Sequence, residues 1–343
     1  MKSPLVTVII PAYNAESTIN SAVQSVLIQS YQNLEILIID DGSNDGTCMV
    51  VKQIAKETDL VRLLKVNHGG VSRARNAGIT EARGDYCMFL DADDELPPKA
   101  VEHLIYAINI DPFTAISIGG MDFVRFDGED IVSRKSYSVE KDELIIPVDY
   151  ANQLKELLHC NYLQSSCAKL YHVVFLRSNN LKFDESLDSF EDFEFIIRCI
   201  SAAPILYITP AIVYRYSLRA TQSNSRKTKD NIVDQMLSVK QSIDSFCITM
   251  NVEPSTFNEL SSHLFVNAIN NIYASNRIDV DKWDMVLYLR DSPEYTPLFI
   301  SDISYPNLYT RIIFFAVKYK LRIPFTFAVT ARNYIRKHTG QPA

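Results

Sequence analysis

The sequence predicts an α/β fold: a mostly parallel sheet covered by helices, followed by a helical C-terminal region. Three observations carry this. Four apolar, β-branched runs recur at about 25–30 residue intervals, with amphipathic helical patterns between them. A polar stretch at 218–230, LRATQSNSRKTKD, then interrupts the pattern. Beyond it the periodicity is helical throughout. At 343 residues the chain exceeds the usual single domain, so a large α/β unit at 1–225 and a helical region at 226–343 are expected.

The strand candidates are Val6 to Ile10, Leu34 to Ile39, Leu60 to Val66 and Tyr86 to Leu90. Their near-continuous apolar character implies burial on both faces. Between the first two, Ile19, Ala22, Val23, Val26 and Leu27 share one helical face. Each strand ends in a polar turn: Pro11-Ala12-Tyr13-Asn14, Asp40-Asp41-Gly42-Ser43, Asn67-His68-Gly69-Gly70 and Asp91-Ala92-Asp93-Asp94. Ligands of parallel sheets bind beyond the carboxyl ends of the strands, so the polar chemistry collects where a site is expected. Pro97-Pro98 sets the start of a helix, which Asp94 is expected to cap. Thr114 to Tyr137 reads as short strands and loops, and Asp149 to Tyr216 as mixed helices and strands. In the last region Ile232, Met236, Val239, Ile243 and Phe246 form one helical face, and Phe257, Leu260, Leu264, Ala268 and Ile272 the next.

Composition narrows the class. Apolar content of 47% and charged content of 22% argue against extensive disorder. Six scattered cysteines, without a C-x-x-C pair, speak against zinc and fit a reducing compartment. The start of the chain carries no export signal, and no run reaches about 18 apolar residues, so a cytoplasmic protein is expected. Charge is uneven. Residues 303–343 hold seven basic residues (Arg311, Lys318, Lys320, Arg322, Arg332, Arg336, Lys337) and no acidic one, so the first 302 carry −14 against −7 overall. Interleaved with Phe314, Phe315, Tyr319, Phe325, Phe327 and Tyr334, this end is expected to meet an anionic membrane surface. The alternative is a helix pair packed on the catalytic region. The acidic remainder argues against nucleic acid.

Taken alone, Asp91-Ala92-Asp93 is open to two readings. It can be a helix-capping turn, or it can hold Mg²⁺ or Mn²⁺, hard cations that take carboxylate and diphosphate oxygens together. An aspartate-dependent phosphatase would use such a pair as nucleophile and acid, but Glu95 stands where that superfamily's first motif has Thr or Val. A non-catalytic sugar-nucleotide-binding module is the other rival.

Four segments come in order: VTVIIPAYNAESTI at the start, LIIDDGSNDGT after the second strand, NHGGVSRARNAGI after the third and GDYCMFLDADDE at the fourth. With these the chain resembles the family 2 glycosyltransferases of GT-A fold. CAKLY at 167–171, SFEDFEF at 189–195 and YRYSLRATQS at 214–223 extend the likeness over about residues 4–223. The resemblance implies an inverting, metal-dependent transfer from a UDP-sugar to a hydroxyl of a glycan or lipid-linked glycan, on the inner face of the membrane if the basic end docks there.

It also implies roles. Pro11 and Tyr13 line the base pocket, and Asp41 accepts the pyrimidine N3–H. Asn67 and Arg75 lie near base and phosphate. Asp91 contacts ribose or metal, and Asp93 is the metal ligand proper. Arg215 and Arg219 clamp the diphosphate, whereas Lys169 is a weaker polar candidate. Within the E-D pair Asp192 is the general base and Glu191 the nearest alternative; without the resemblance, both residues would simply favour a helix N-terminus. His68 reads as a loop residue.

Overall fold

The computed structural model describes residues 3–128, 130–149, 153, 157, 162–218, 232–274, 279–300 and 308–339. The chain divides into two compact units, Met1–Ser223 and Asn224–Ala343.

The first unit starts with four parallel strands in spatial order β3 (Val61–Lys65), β2 (Leu34–Asp40), β1 (Val6–Ala12), β4 (Tyr86–Phe89). β1, β2 and β4 are buried along their whole length. In β3 only Val61 is buried, because it is the edge strand and one flank meets solvent. Two-sided burial thus holds for three of the four runs. The chain winds outward from β1 to β2 and β3, then returns to place β4 on the other side of β1. This reversal opens a crevice at the carboxyl ends of β1 and β4.

Helices α1 (Ile19–Leu27), α2 (Thr47–Glu57) and α3 (Val71–Glu81) connect these strands. α3 lies so close to β1 that a Cβ on Gly78 would sit 2.3 Å from Ile9 Cγ2. Helix α4 (Ala100–Ile110) follows β4; it begins two residues after Pro98, with Lys99 at the cap position and no side-chain cap bond. Asp94 therefore does not cap it. It is 1% exposed and bonded elsewhere.

The sheet continues through β8 (Lys169–His172), β5 (Ile116–Asp127), β9 (Leu206–Leu218) and β7 (Glu143–Ile145), with β6 (Asp130–Tyr137) paired to β5. β8 is antiparallel to its neighbours, while β5 and β9 run parallel. Expected short strands at 114–137 are in fact a twelve-residue strand and an eight-residue partner. The long strand β5 pairs with β9, which lies far along the sequence and leaves no local signal, and β6 folds back onto β5. Helices α5 (Val173–Ser178) and α6 (Glu191–Ala202) complete this unit. Phe89, Tyr171, Phe183 and Phe195 lock α6 to the sheet, with Phe183 and Phe195 stacked at 4.0 Å.

The second unit comprises α7 (Ile232–Thr249), α8 (Asn258–Ala274), α9 (Asp279–Asp291), α10 (Pro297–Ile300), α11 (Leu308–Lys318) and α12 (Arg322–Thr339). The five residues expected on the first helical face are all buried, as are Phe257, Leu264, Ala268 and Ile272 of the next. Phe265, Phe299 and Phe314 form an aromatic cluster, and Trp283 packs on Phe325. Among the described residues no helix is long and apolar enough to cross a membrane.

Candidate active site

Two clusters form along the crevice. The first lies at the ends of β1 and β2. Pro11 is buried within β1, opposite Ile39, and the chain then turns outward at Tyr13, which is 41% exposed. Asp41 is buried and its carboxylate accepts the backbone N–H of Gly69 at 2.8 Å and of Gly70 at 2.9 Å. His68 Nδ1 lies 2.9 Å from Asp41 Oδ2, and the His68 ring stacks on Tyr13 at 4.2 Å and 23°. Gly42, at φ +74°, lets the β2 turn pass beneath His68; a Cβ there would meet the His68 backbone nitrogen at 3.0 Å. Asp40 orients the same turn, accepting from Ser43 N and Cys48 Sγ. Asn67 is exposed on the rim.

The second cluster joins β4 to α6 through Arg75, on α3. The guanidinium is buried, donating from Nη2 to Asp91 Oδ1 at 2.8 Å and from Nη1 to Asp192 Oδ1 at 2.7 Å. Glu191 Oε1 lies 3.8 Å from Nη1, and the Phe183 ring lies 5.3 Å below. Burial disfavours the charge, but Asp192 and Asp91 outweigh it and hold the guanidinium well above its ordinary pKa. Its Nε is buried without a hydrogen-bond partner among the described residues. Ser166 Oγ also donates to Asp192 Oδ1, at 2.9 Å, so both contacts fall on one carboxylate oxygen. Lys169, the first residue of β8, is buried beneath and donates to the Ser165 and Cys167 carbonyls; burial pushes it down to about 8.

Strand β9 braces the carboxylate turn. Tyr214 Oη donates to Asp94 Oδ2 at 2.7 Å and accepts from the Asp91 N–H at 3.2 Å. Ser217 N donates to Asp94 Oδ1 at 2.8 Å. Burial, and then the charges of Asp91 and Asp93, hold the Asp94 carboxyl well above the usual carboxylate range. Arg215 pairs with Glu95 at 2.9 Å, beside the same turn. Its in-register neighbour on β5 is Asp122, whereas Tyr216 pairs with Phe123 on the opposite face of the strands. Arg219 lies outside the described residues.

Among the described residues no group of three or more His, Cys, Asp or Glu gathers to hold a metal ion, so at this turn Asp91 and Asp93 would supply two carboxylates. Asp91 and Asp93 are both part-exposed at a strand end, and Asp91 is already paired with Arg75.

The structure thus brings Asp41 and Tyr13 together, and separately Arg75, Asp91, Asp192 and Glu191. Arg75 sits in the second group, bonded to Asp91 and Asp192. Sequence reasoning read His68 as a loop residue without partners and did not single out Ser166 or Tyr214. For His68 a signal existed: the third strand's turn must lie beside the second strand's, where Asp41 waits.

Residues 7–168 match the family model described as glycosyl transferase family 2. The chain carries a domain of that family. The matched span takes in the four ordered motifs and stops before Asp192, which this glycosyltransferase domain meets through Arg75. An uncharacterized glycosyltransferase of Rickettsia prowazekii is 27% identical over 270 residues, covering 78% of this chain and 79% of that one. Succinoglycan biosynthesis protein ExoO of Rhizobium meliloti is 27% identical over 242 residues, 70% and 68% of the two chains. Against a Rickettsia felis glycosyltransferase, also 27% identical, the match spans only 36% of the relative's length. Among solved structures, S. aureus TarS 1–349 in complex with UDP-GlcNAc superposes with a TM-score of 0.67 at 16% identity, over 96% of this chain and 92% of that one. At that identity the likeness speaks to the fold, a GT-A sheet flanked by helices with a helical C-terminal region.

Proposed function

We propose that this protein transfers a sugar from a UDP-sugar to a hydroxyl of a glycan or lipid-linked glycan, by single displacement with inversion, and that Asp192 is the general base. The observation that carries the reading is the Arg75 bridge. It holds Asp91, at the end of a sheet strand, and Asp192, 101 residues later, on one guanidinium. One carboxylate then serves the leaving-group side and the other the acceptor side.

Each residue has a task. Tyr13 offers a ring face to the base, and Asp41 both fixes the 67–70 turn and accepts the N3–H of uracil. That a structure of the same fold holds UDP-GlcNAc supports a nucleotide-sugar donor. Asp93 and Asp91 would hold Mn²⁺ or Mg²⁺, which when bound offsets charge on the departing diphosphate. An attacking hydroxyl must lose its proton as it attacks, and inversion requires the base on the face opposite the leaving group. Arg75 and Ser166 both occupy Asp192 Oδ1, so Oδ2 is the oxygen presented for that proton. Half-buried Tyr137 and Tyr216, each in ring contact with half-buried Phe123, offer flat faces suited to pyranose rings. A lipid-linked acceptor would be met at the inner face of the membrane, with the protein peripheral to it.

UDP release and UDP-sugar binding test the assignment together. Asp192→Asn should keep UDP-sugar affinity nearly unchanged while turnover falls by at least about 10²-fold. A fully active Asp192→Asn protein, or inactivation by Glu191→Gln alone, would move the role elsewhere. Asp93→Ala should remain folded and lose Mn²⁺-dependent UDP-sugar binding; binding indifferent to both the substitution and chelation would remove the metal.

A further inference from the structure

The basic C-terminal end looks different once its helices are placed. Phe314 and Phe325, two of the aromatic residues expected at a surface, are 1% and 0% exposed and belong to the core of the second unit. Another set faces outward. On α11 the residues Thr310, Ile313, Phe314, Ala316 and Val317 are buried. Opposite them Leu308 is 70% exposed, Ile312 39%, Phe315 59% and Tyr319 56%. Steps of four, three and four residues put these on one stripe of the helix. The Phe315 and Tyr319 rings are in contact at 4.8 Å. The turn into α12 extends the stripe with Leu321, 38% exposed, and Ile323, 84% exposed.

Cations frame these side chains. Arg311, Lys318, Lys320 and Arg322 are all exposed, and the stretch from residue 303 onward has no acidic residue. Soluble monomers rarely leave a contiguous apolar stripe of this kind in water.

We infer that the stripe Leu308, Ile312, Phe315, Tyr319, Leu321 and Ile323, with its framing cations, is a docking face for an anionic lipid bilayer. The inference deepens the reading of the protein as peripheral to a membrane and names the residues responsible. Three occupants can be weighed. A dissolved polyanion would satisfy the cations but leave six large apolar side chains in water. A second copy, docked by a two-fold on this face, would set Lys and Arg against Lys and Arg. A bilayer satisfies both features: the apolar side chains enter the boundary between headgroups and acyl chains, and the cations lie among anionic headgroups. The first 302 residues carry −14, so electrostatic attraction to an anionic surface comes from this end of the chain and falls off within about a Debye length.

The test is co-sedimentation of the full chain with vesicles of phosphatidylcholine, alone or mixed with phosphatidylglycerol, at low salt. The protein should pellet with the mixed vesicles and weakly with phosphatidylcholine. Replacing Lys318, Lys320 and Arg322 by Gln together should lower partitioning at least about tenfold. Phe315→Ser with Ile323→Ser should do the same at unchanged charge. These side chains are exposed, so circular dichroism and UDP-sugar binding should stay unaltered in both variants, which separates this result from the donor assignment. Absent pelleting on mixed vesicles overturns the inference. So does pelleting that depends on the cations and ignores the apolar pair, which marks a polyanion site. Concentration-dependent oligomers dissolved by the apolar pair, with vesicle binding unaffected, would instead mark a self-association face.

Discussion

Arg75 is the side chain on which the site turns, because it is buried and bonded to carboxylates from two segments. Truncating it to Met would leave Asp91 and Asp192 facing one another without their cation. Loss of one partner of a buried pair costs about 3–5 kcal/mol, so Arg75→Met should be markedly less heat-stable. Arg75→Lys separates positioning from folding. A single ammonium cannot reach two carboxylates held at 2.7 and 2.8 Å by a planar fork. The Lys variant should fold, bind UDP-sugar with near-normal affinity and lose at least about tenfold in kcat; full kcat in that variant would show that the bridge geometry is dispensable. Asp41 offers a second residue-scale test. Asp41→Ala should weaken UDP more than a ribose-phosphate fragment, and equal losses would refute base reading. The motif singles out Arg75, but not the carboxylates it bonds. They lie 16 and 117 residues away, beyond the reach of any local pattern.

Strand β9 acts as a brace at the scale of the element. Its residues Tyr214, Arg215 and Ser217 all engage the 91–95 turn, so the carboxylates that would hold the metal are positioned from more than a hundred residues downstream. Tyr214→Phe deletes one hydroxyl within a buried ring and leaves the packing in place. Supports of this kind typically cost 10–100-fold in metal affinity when removed. Titration of Mn²⁺ in the presence of UDP should show a loss of that order in Tyr214→Phe, while the metal-free protein still folds with a lowered melting temperature, because buried Asp94 Oδ2 loses its donor at a cost of about 1–3 kcal/mol. An unchanged titration would mean that Asp94 alone holds the turn. Asp94 itself shows why the element scale misled the sequence reading: an aspartate just before a proline-led helix has the local signature of a cap. Only the approach of β9 gives it two stronger partners.

For the whole molecule, donor binding should register as stability. A ligand that binds only the folded state adds about 2.7 kcal/mol at one hundred times its Kd. Thermal melts against a panel of UDP-sugars with Mn²⁺ should therefore raise the transition by several degrees for the preferred donor, and chelation should reverse it. A panel in which GDP- or dTDP-sugars stabilise and UDP-sugars do not would displace the donor assignment.

The strand cores, the polar turns at their ends and the buried faces of α1, α7 and α8 were determined by the sequence alone. Each rests on spacing within a few residues, where periodicity dictates which side chains share a face. The ordered motifs also made the family legible, since turn residues follow their strands directly. Tertiary structure decided everything that depends on which face meets what. It put Arg75 between Asp91 and Asp192, stacked His68 on Tyr13, and turned Asp94 under β9. On α11 it buried Phe314 and left Phe315 in water. Adjacent helical residues differ by about 100° in direction, and the sequence does not say from which direction a neighbour comes.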